Sequence, residues 1–474
     1  MKIAKLVLVS LIMSSCQQKT TVDFLIKNAT ILNIEAGSQV DNQFVFISGD
    51  SIIAVGDVSL LENYQASQEV DAEGKFLMPG LWDNHVHFGG ANYIDENEQL
   101  LPLYLAFGVT TVRDAAGDIS LEVLKWRDEI NSGKRIGPKI LTSGPKLEGI
   151  ESIWPGDLEV GTEEELDAAL DSLDKLNVDF IKITDNTMKP ELFLNAVEKA
   201  TARGYSVSGH IPAALTLDQV SAAGQKTVEH LSYMMRTTTS LEAEISAGRA
   251  SGKLSGAEAA TLQEESYNDS VAFANFQKLA SQGTAVVPTL LISYNIAYLD
   301  ENDFASDTIL NYIGPQLKAS YQWRIERMAG ETAEVTQARK DTYKKVSALL
   351  PMIQKSGMKI IAGTDAGYLN TYDIPGLAIH LELQKFVEFG LTPQQALIAS
   401  VINGPDYFGM TDFGSLEAGK KANIIILNHN PLEDISATLS LEHVIKDGKF
   451  YSRKQLNSML HQLKTWVADK EGIE

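Results

Sequence analysis

The chain has 474 residues, 44% of them apolar and 22% charged, and a formal net charge of −22 at pH 7. That length accommodates one large α/β domain plus a smaller one, and the composition is that of an ordinary soluble globular protein without collagen-like or proline-rich tracts. The acidic balance argues against a nucleic-acid surface, and a single cysteine excludes an internal disulfide framework.

The chain opens with Lys2 and Lys5, an apolar run from Leu6 to Met13, and then Ser14-Ser15-Cys16. The run is far shorter than the roughly 20 residues of a transmembrane helix. The order of charged, apolar and small residues resembles a bacterial lipoprotein signal over 1–16, with Met13 and Ser15 as less usual lipobox residues. The resemblance implies lipidation of Cys16, export to the bacterial periplasm or cell envelope, and membrane contact only through that anchor. The other reading is a plain secretory signal with an incidental cysteine.

After a polar linker, residues 22–32 predict a strand, a turn and a strand. The runs 44–47 and 51–55 flank Gly49-Asp50, a hairpin signal, and the runs 423–428 and 443–449 repeat the pattern near the other end. Strands at both ends predict a small β-sandwich built from the two termini, 17–78 and 408–474, with the rest inserted between them. Across 79–407 apolar strands alternate with helical patterns, the mark of a parallel α/β sheet. The expected strands are 81–87, 110–114, 139–143, 179–184, 206–210, 226–230, 285–289 and 359–365. Thr162-Glu163-Glu164-Glu165 opens one intervening helix like a cap, and Pro190 starts another. Eight such units give an α/β fold class with a TIM-type (β/α)8 barrel, whose active site lies at the C-terminal ends of its strands. The stretches 234–283 and 290–357 are too long for simple connections and look helical. They can cap the active site, pack peripherally, or form a contact in a homo-oligomer.

Six residues fall at or near those strand ends: His85, His87, Lys182, His210, His230 and Asp365. His85 and His87 are two apart in an extended strand, so both side chains lie on one face and can close on one divalent metal ion. Four of the eight histidines belong to this set. His380, His429, His443 and His461 fall elsewhere and read as structural or solvated. In Ile181-Lys182-Ile183 the alternation puts Lys182 on the face opposite the isoleucines. If those pack on the helices, Lys182 points into the barrel, where an unpaired ammonium is costly.

The stretch Asp83-Asn84-His85-Val86-His87 resembles the Asp-x-His-x-His signature on the first barrel strand of the amidohydrolase superfamily. Val228-Glu229-His230 looks like its sixth-strand Glu-His pair, and Gly363-Thr364-Asp365 like its last-strand Gly-Thr-Asp. Thr110 to Asp114, the segment 376–393 and Gly414 to Lys420 are similar to the imidazolonepropionase-related branch with its prolidase-like dipeptidases. Ala422-Asn423 and Asn403-Gly404-Pro405-Asp406 depart from that branch, away from the metal set.

The resemblance implies two divalent cations, zinc in the first instance: His85, His87 and Asp365 on the first, His210 and His230 on the second. It implies that Lys182, carboxylated by carbon dioxide, bridges them. A lysine at the barrel rim, or one paired with Asp365, is the alternative. The cations would lower the pKa of a bridging water and polarise the scissile carbonyl, while Asp365 carries the proton to the leaving group. As a helix cap Asp365 would have a purely structural role. In a one-metal form, His230 would polarise the carbonyl. Tyr233 either points its hydroxyl at a substrate or packs. His210 lacks the nearby acid usual in deaminases, which lowers deamination in rank. The function implied is hydrolysis of a C–N bond in a small molecule: a dipeptide, an N-acyl amino acid or a cyclic amide. Lactonase or esterase action on the same site is the enzymatic rival, and a non-catalytic binding lipoprotein the other.

Overall fold

Apolar and polar residues alternate at both ends of the chain, and the strands they form join one mixed sheet of eight. Its order is Lys449–Tyr451, Leu441–Lys446, Ile424–Leu427, Phe76–Pro79, Thr20–Asn33, Ser38–Ser48, Ser51–Gly56, with Tyr64–Asp71 also pairing with Thr20–Asn33. Phe76–Pro79 runs parallel to Thr20–Asn33 and antiparallel to Ile424–Leu427, so it stitches the amino-terminal strands to the carboxy-terminal ones. This computed structural model describes residues 19–472; Cys16 and its surroundings lie outside the described residues.

The turn expected within 22–32 is instead a bulge in one long strand. The register against Ser38–Ser48 shifts between Ile26 and Ala29, and Asn28 absorbs the extra residue at φ 59°, which asparagine tolerates better than most residues. The hairpin at Gly49-Asp50 forms, with Ser48 opposite Ser51. Asp447 and Gly448 make the matching turn at the other end, both with positive φ. A Cβ on Gly448 would collide with the carbonyl oxygen of Gly49, so the two turns meet only because glycine stands there.

Between these terminal strands lie the parallel ones. Leu81–His87 pairs with Val109–Asp114, which pairs with Lys139–Thr142. A second parallel sheet holds Leu158–Glu159, Leu147–Glu148, Ile181–Ile183, Val207–Gly209, Gln225–Glu229 and Ala285–Val287, in that spatial order. Two of these, 147–148 and 158–159, are too short to carry a readable pattern. The strand expected at 359–365 is reduced to a single bridge, Ile360 with Val286, because Asp365 turns to φ 74° and Asp83 claims Thr364. The chain there still bonds to both neighbours, Ile361 N–H to Val286 O and Asn84 N–H to Ala362 O. Ala366–Gly367 then pairs with Leu81–His87.

Helices cover these sheets for the usual reason, an apolar stripe. Glu163–Leu176 buries Leu166, Ala169, Leu170 and Leu173, one face at helical spacing, and Thr162 caps it by accepting from Glu165 N–H. Removing the Leu170 side chain to Cβ would cost about 2–5 kcal/mol, the range for a buried leucine cut to alanine. The long connections are largely helical, as their patterns indicated, with Pro315–Ser320 and Gln322–Met328 among their helices. The last part of 408–474 is neither strand nor loose tail. It is a 19-residue helix, Arg453–Glu471, opened by a Ser452/Gln455 capping box and packed against the helix Ile94–Ala106.

Candidate active site

Two pairs of histidines adjoin one another at one cavity, with the His85 and His230 ring centroids 5.2 Å apart. In Leu81–His87 the pleat puts His85 and His87 on the same face, with their Nε2 atoms 3.2 Å apart. Asp365 Oδ1 stands 2.9 Å from His87 Nε2 and 3.4 Å from His85 Nε2. The ligand atoms of these three residues all lie within 4.8 Å of one another, a spacing that can hold a metal ion. Asp365 reaches this position through its left-handed backbone, uncommon for aspartate, and its N–H donates to His85 O at 2.7 Å. Asp83 makes the staple: it accepts from Thr364 N–H at 3.1 Å and from the Thr364 hydroxyl at 2.8 Å. Burial pushes the Asp83 carboxyl up to about 7.

The other ring nitrogens fix which way the imidazoles point. His85 Nδ1–H donates to Glu229 Oε2 at 2.6 Å, and His87 Nδ1–H donates to Ala116 O at 2.5 Å. With Nδ1 protonated in each, the two Nε2 lone pairs face one another, an arrangement that suits a shared cation and not a direct hydrogen bond. Burial, with the Lys182 charge, holds the His85 imidazole down to about 4, so it is neutral and able to ligate.

The second pair repeats the geometry with different support. His210 and His230 bring their Nε2 atoms to 3.2 Å. His210 Nδ1–H donates to Asp185 Oδ1 at 3.1 Å, and His230 Nδ1 shares a hydrogen bond of 2.8 Å with the Thr289 hydroxyl. Burial acts to raise Asp185, but the His210 hydrogen bond and charge hold it below the ordinary carboxylate value. His230 and Thr289 both take positive φ, 72° and 48°, so the ends of two strands bend to deliver this contact. Tyr233 stacks on His210 with ring centroids 5.7 Å apart and donates its hydroxyl to Asp185 Oδ2 at 3.1 Å. Its side chain therefore braces the histidine, and Tyr233 is not one of the cavity-lining residues.

Lys182 lines the same cavity, is buried, and its Nζ has no hydrogen-bond partner among the described residues. Burial brings its ammonium down to about 8. Beneath it Glu229 collects Arg113 Nη2 at 2.8 Å, the Ser208 hydroxyl at 2.5 Å and the Thr227 hydroxyl at 2.6 Å, besides His85. Burial would raise Glu229, yet Arg113, Lys182 and His85 hold it well below the usual range. Glu229 and Arg113 stood in the sequence only as parts of similar motifs, with no role attached. The readable signal was the alternation that puts the polar residues Gln225, Thr227 and Glu229 on one face of the strand Gln225–Glu229.

The cavity is about 120 Å³ and is lined by His87, Lys182, His210, His230 and Asp365, with Lys146, Trp154, Arg324 and Tyr368 at its sides. Thus the structure gathers His85, His87, Lys182, His210, His230 and Asp365 in one place. The donor set of imidazole nitrogens and one carboxylate, with an orphaned buried lysine nitrogen in the same cavity, fits zinc or a similar divalent cation.

The profile of the amidohydrolase family matches residues 76–451. Ochratoxinase from Aspergillus niger is 25% identical over 88% of this chain and 84% of its own length. Among solved structures, bottromycin amidohydrolase aligns with a TM-score of 0.71 at 17% identity, covering 94% of this chain and 90% of that one. A Xaa-Pro dipeptidase with methionine bound in its active site aligns with a TM-score of 0.64 at 20% identity, covering 90% and 99%. At these identities the two structures show a shared fold.

Proposed function

The chain belongs to the amidohydrolase family, a hydrolase acting on carbon–nitrogen bonds, and on that premise we propose that it cleaves an amide or peptide-like bond of a small molecule, in the manner of a dipeptidase, with two divalent metal ions, zinc in the first instance. On this reading the parallel sheets are parts of one (β/α)8 barrel over 79–407, and the terminal strands form the small sandwich. The observation that carries the proposal is two adjoining histidine pairs, each with Nε2 atoms 3.2 Å apart, and a buried Lys182 Nζ in the same cavity with no hydrogen-bond partner among the described residues.

His85, His87 and Asp365 would hold one ion and His210 and His230 the other, with carboxylated Lys182 joining them. Bound there, the ions would supply Lewis acidity, making a water acidic and polarising the scissile carbonyl. The chain's own groups do the rest. Asp365 is the carboxylate within reach of both His85 and His87, so it takes a proton from water and returns it to the departing nitrogen. Glu229 and Asp185 hold the imidazoles in the ligating tautomer. The names of ochratoxinase and of a Xaa-Pro dipeptidase support an amide-type bond over an ester.

The test is chelation followed by return of zinc. Hydrolysis of dipeptides or N-acyl amino acids should vanish with the metal and return with it, and lactones should be poorer substrates. Metal-independent turnover would refute the proposal. We also propose that Cys16 is the lipidated residue of an exported, envelope-bound protein. Membrane fractionation of Cys16→Ser should then find the variant released or unprocessed, and a variant that fractionates with membranes like wild type would refute the anchor.

A further inference from the structure

The cavity contains two cationic side chains whose roles remain open, Lys146 and Arg324. Their situations differ. The Lys146 ammonium is closed off in an ion pair with Asp157 at 3.0 Å, and both residues are nearly buried. Arg324 has no such counter-charge. Its Nε donates to Leu369 O at 3.2 Å and its Nη2 to the Asn370 side-chain oxygen, while Nη1 has no hydrogen-bond partner among the described residues. The nearest carboxylate is Asp365, whose Oδ2 is 3.9 Å from Nη2, beyond hydrogen-bond reach. Asp365 is also spoken for by His85 and His87.

Arg324 is held in this position from two sides. It belongs to the helix Gln322–Met328, carried by the long connection after Ala285–Val287. Trp323 of that helix meets Trp154, across the cavity, with ring centroids 5.5 Å apart. The loop residues Leu369 and Asn370, just beyond Asp365, fix the guanidinium itself. A planar cation pre-oriented by its own hydrogen bonds, with a donor to spare, is what binding a carboxylate requires. Its distance from Asp365 limits where that carboxylate can sit on the substrate. If Asp365 passes a proton to the leaving nitrogen, an anion on Arg324 is only a bond or two from that nitrogen.

We propose that Arg324 is the specificity-determining residue of this site, and that it binds the carboxylate on the carbon bearing the scissile nitrogen. The assignment rests on the amide-hydrolase reading and narrows it. The substrates are N-acyl α-amino acids, including dipeptides, cut to a free acid and a free amino acid with the addition of one water. Neutral cyclic amides and lactones lack the group that Arg324 binds.

The experiment pairs N-acyl amino acids spanning the side chains, each with its own carboxamide, and measures kcat and KM on the zinc-loaded enzyme. Wild type should prefer the acid by about 30-fold or more in kcat/KM, the scale for pairing a desolvated charge, mainly through KM. In Arg324→Gln that preference should collapse towards one, with the acid losing far more than the carboxamide. Arg324→Lys should recover part of it. Equal losses on acid and carboxamide in Arg324→Gln would overturn the assignment and leave a structural arginine. Wild-type turnover of both without preference would also overturn it while sparing the amide-hydrolase reading. Turnover of neither by the loaded wild type would overturn the reading on which it rests.

Discussion

The two histidine pairs look alike at 3.2 Å, but the chain builds them differently. The His85/His87 pair has a carboxylate of its own, Asp365, and its deep support is an ionised Glu229 anchored by Arg113. Among the described residues the His210/His230 pair has no carboxylate grouped with its Nε2 atoms as Asp365 is with the first pair. Its supports are Asp185, which also receives Tyr233, and the neutral hydroxyl of Thr289. The first pair is thus a nearly complete site, and the second is short of an anion. On the proposed reading, carboxylation of the orphaned Lys182 nitrogen would supply that anion. On that reading the lysine would be the joint between a strong half and a dependent half.

The largest effect should come from the strong half. Asp365→Asn preserves shape but cannot take a proton, so turnover of amides should drop by about 100-fold or more with little loss of metal. Activated esters should suffer less, because their leaving group needs no proton. Kinetics on both substrate classes at matched metal content check this. Equal loss on amide and ester would confine Asp365 to the water or the metal.

A smaller effect should follow from Glu229→Gln, which removes the charge that orients His85. Metal affinity of the first half should weaken by about 10–100-fold, the range for an orienting partner of a ligating histidine. Competition with a chelator reads this directly. The change also leaves Arg113 buried without its counter-ion, so thermal unfolding should shift downward as well. Unchanged affinity would mean that packing alone orients His85.

The six residues at the strand ends were legible because pleat and topology act locally: a residue's place on its own strand says where it points. What was not legible lies across the parallel sheets or beyond them. Glu229 bonds to His85, 144 positions away, and His230 to Thr289, 59 positions away, and no periodicity announces either. Arg324 sits on a helix of a long connection whose docking depends on Trp323 meeting Trp154. The terminal helix Arg453–Glu471 was readable from Ser452 and Gln455, yet it passed as tail. The turn expected near Asn28 became a bulge because a long strand costs less than breaking a ladder paired on both sides.

Asp185→Asn should produce the smallest change in the series. It keeps an acceptor for His210 and for Tyr233, so turnover should fall by less than about 10-fold, with the loss in metal affinity confined to the second half. Lys182 gives the comparison a pH signature. Only the neutral amine reacts with carbon dioxide, and burial sets its ammonium at about 8. At a fixed concentration of dissolved carbon dioxide, recovery of metal-free protein with zinc should therefore quicken as pH rises towards 8 and level off above it. A recovery rate flat from pH 6 to about 9 would separate Lys182 from activation.

The joint itself is tested most directly by counting metal per chain in wild type and Lys182→Ala, purified in parallel and loaded with zinc. Wild type should hold two ions and Lys182→Ala about one, retained by His85, His87 and Asp365, and a short carboxylate in solution should restore part of the second. Two ions in Lys182→Ala would contradict the account, since the dependent half would then need no bridge.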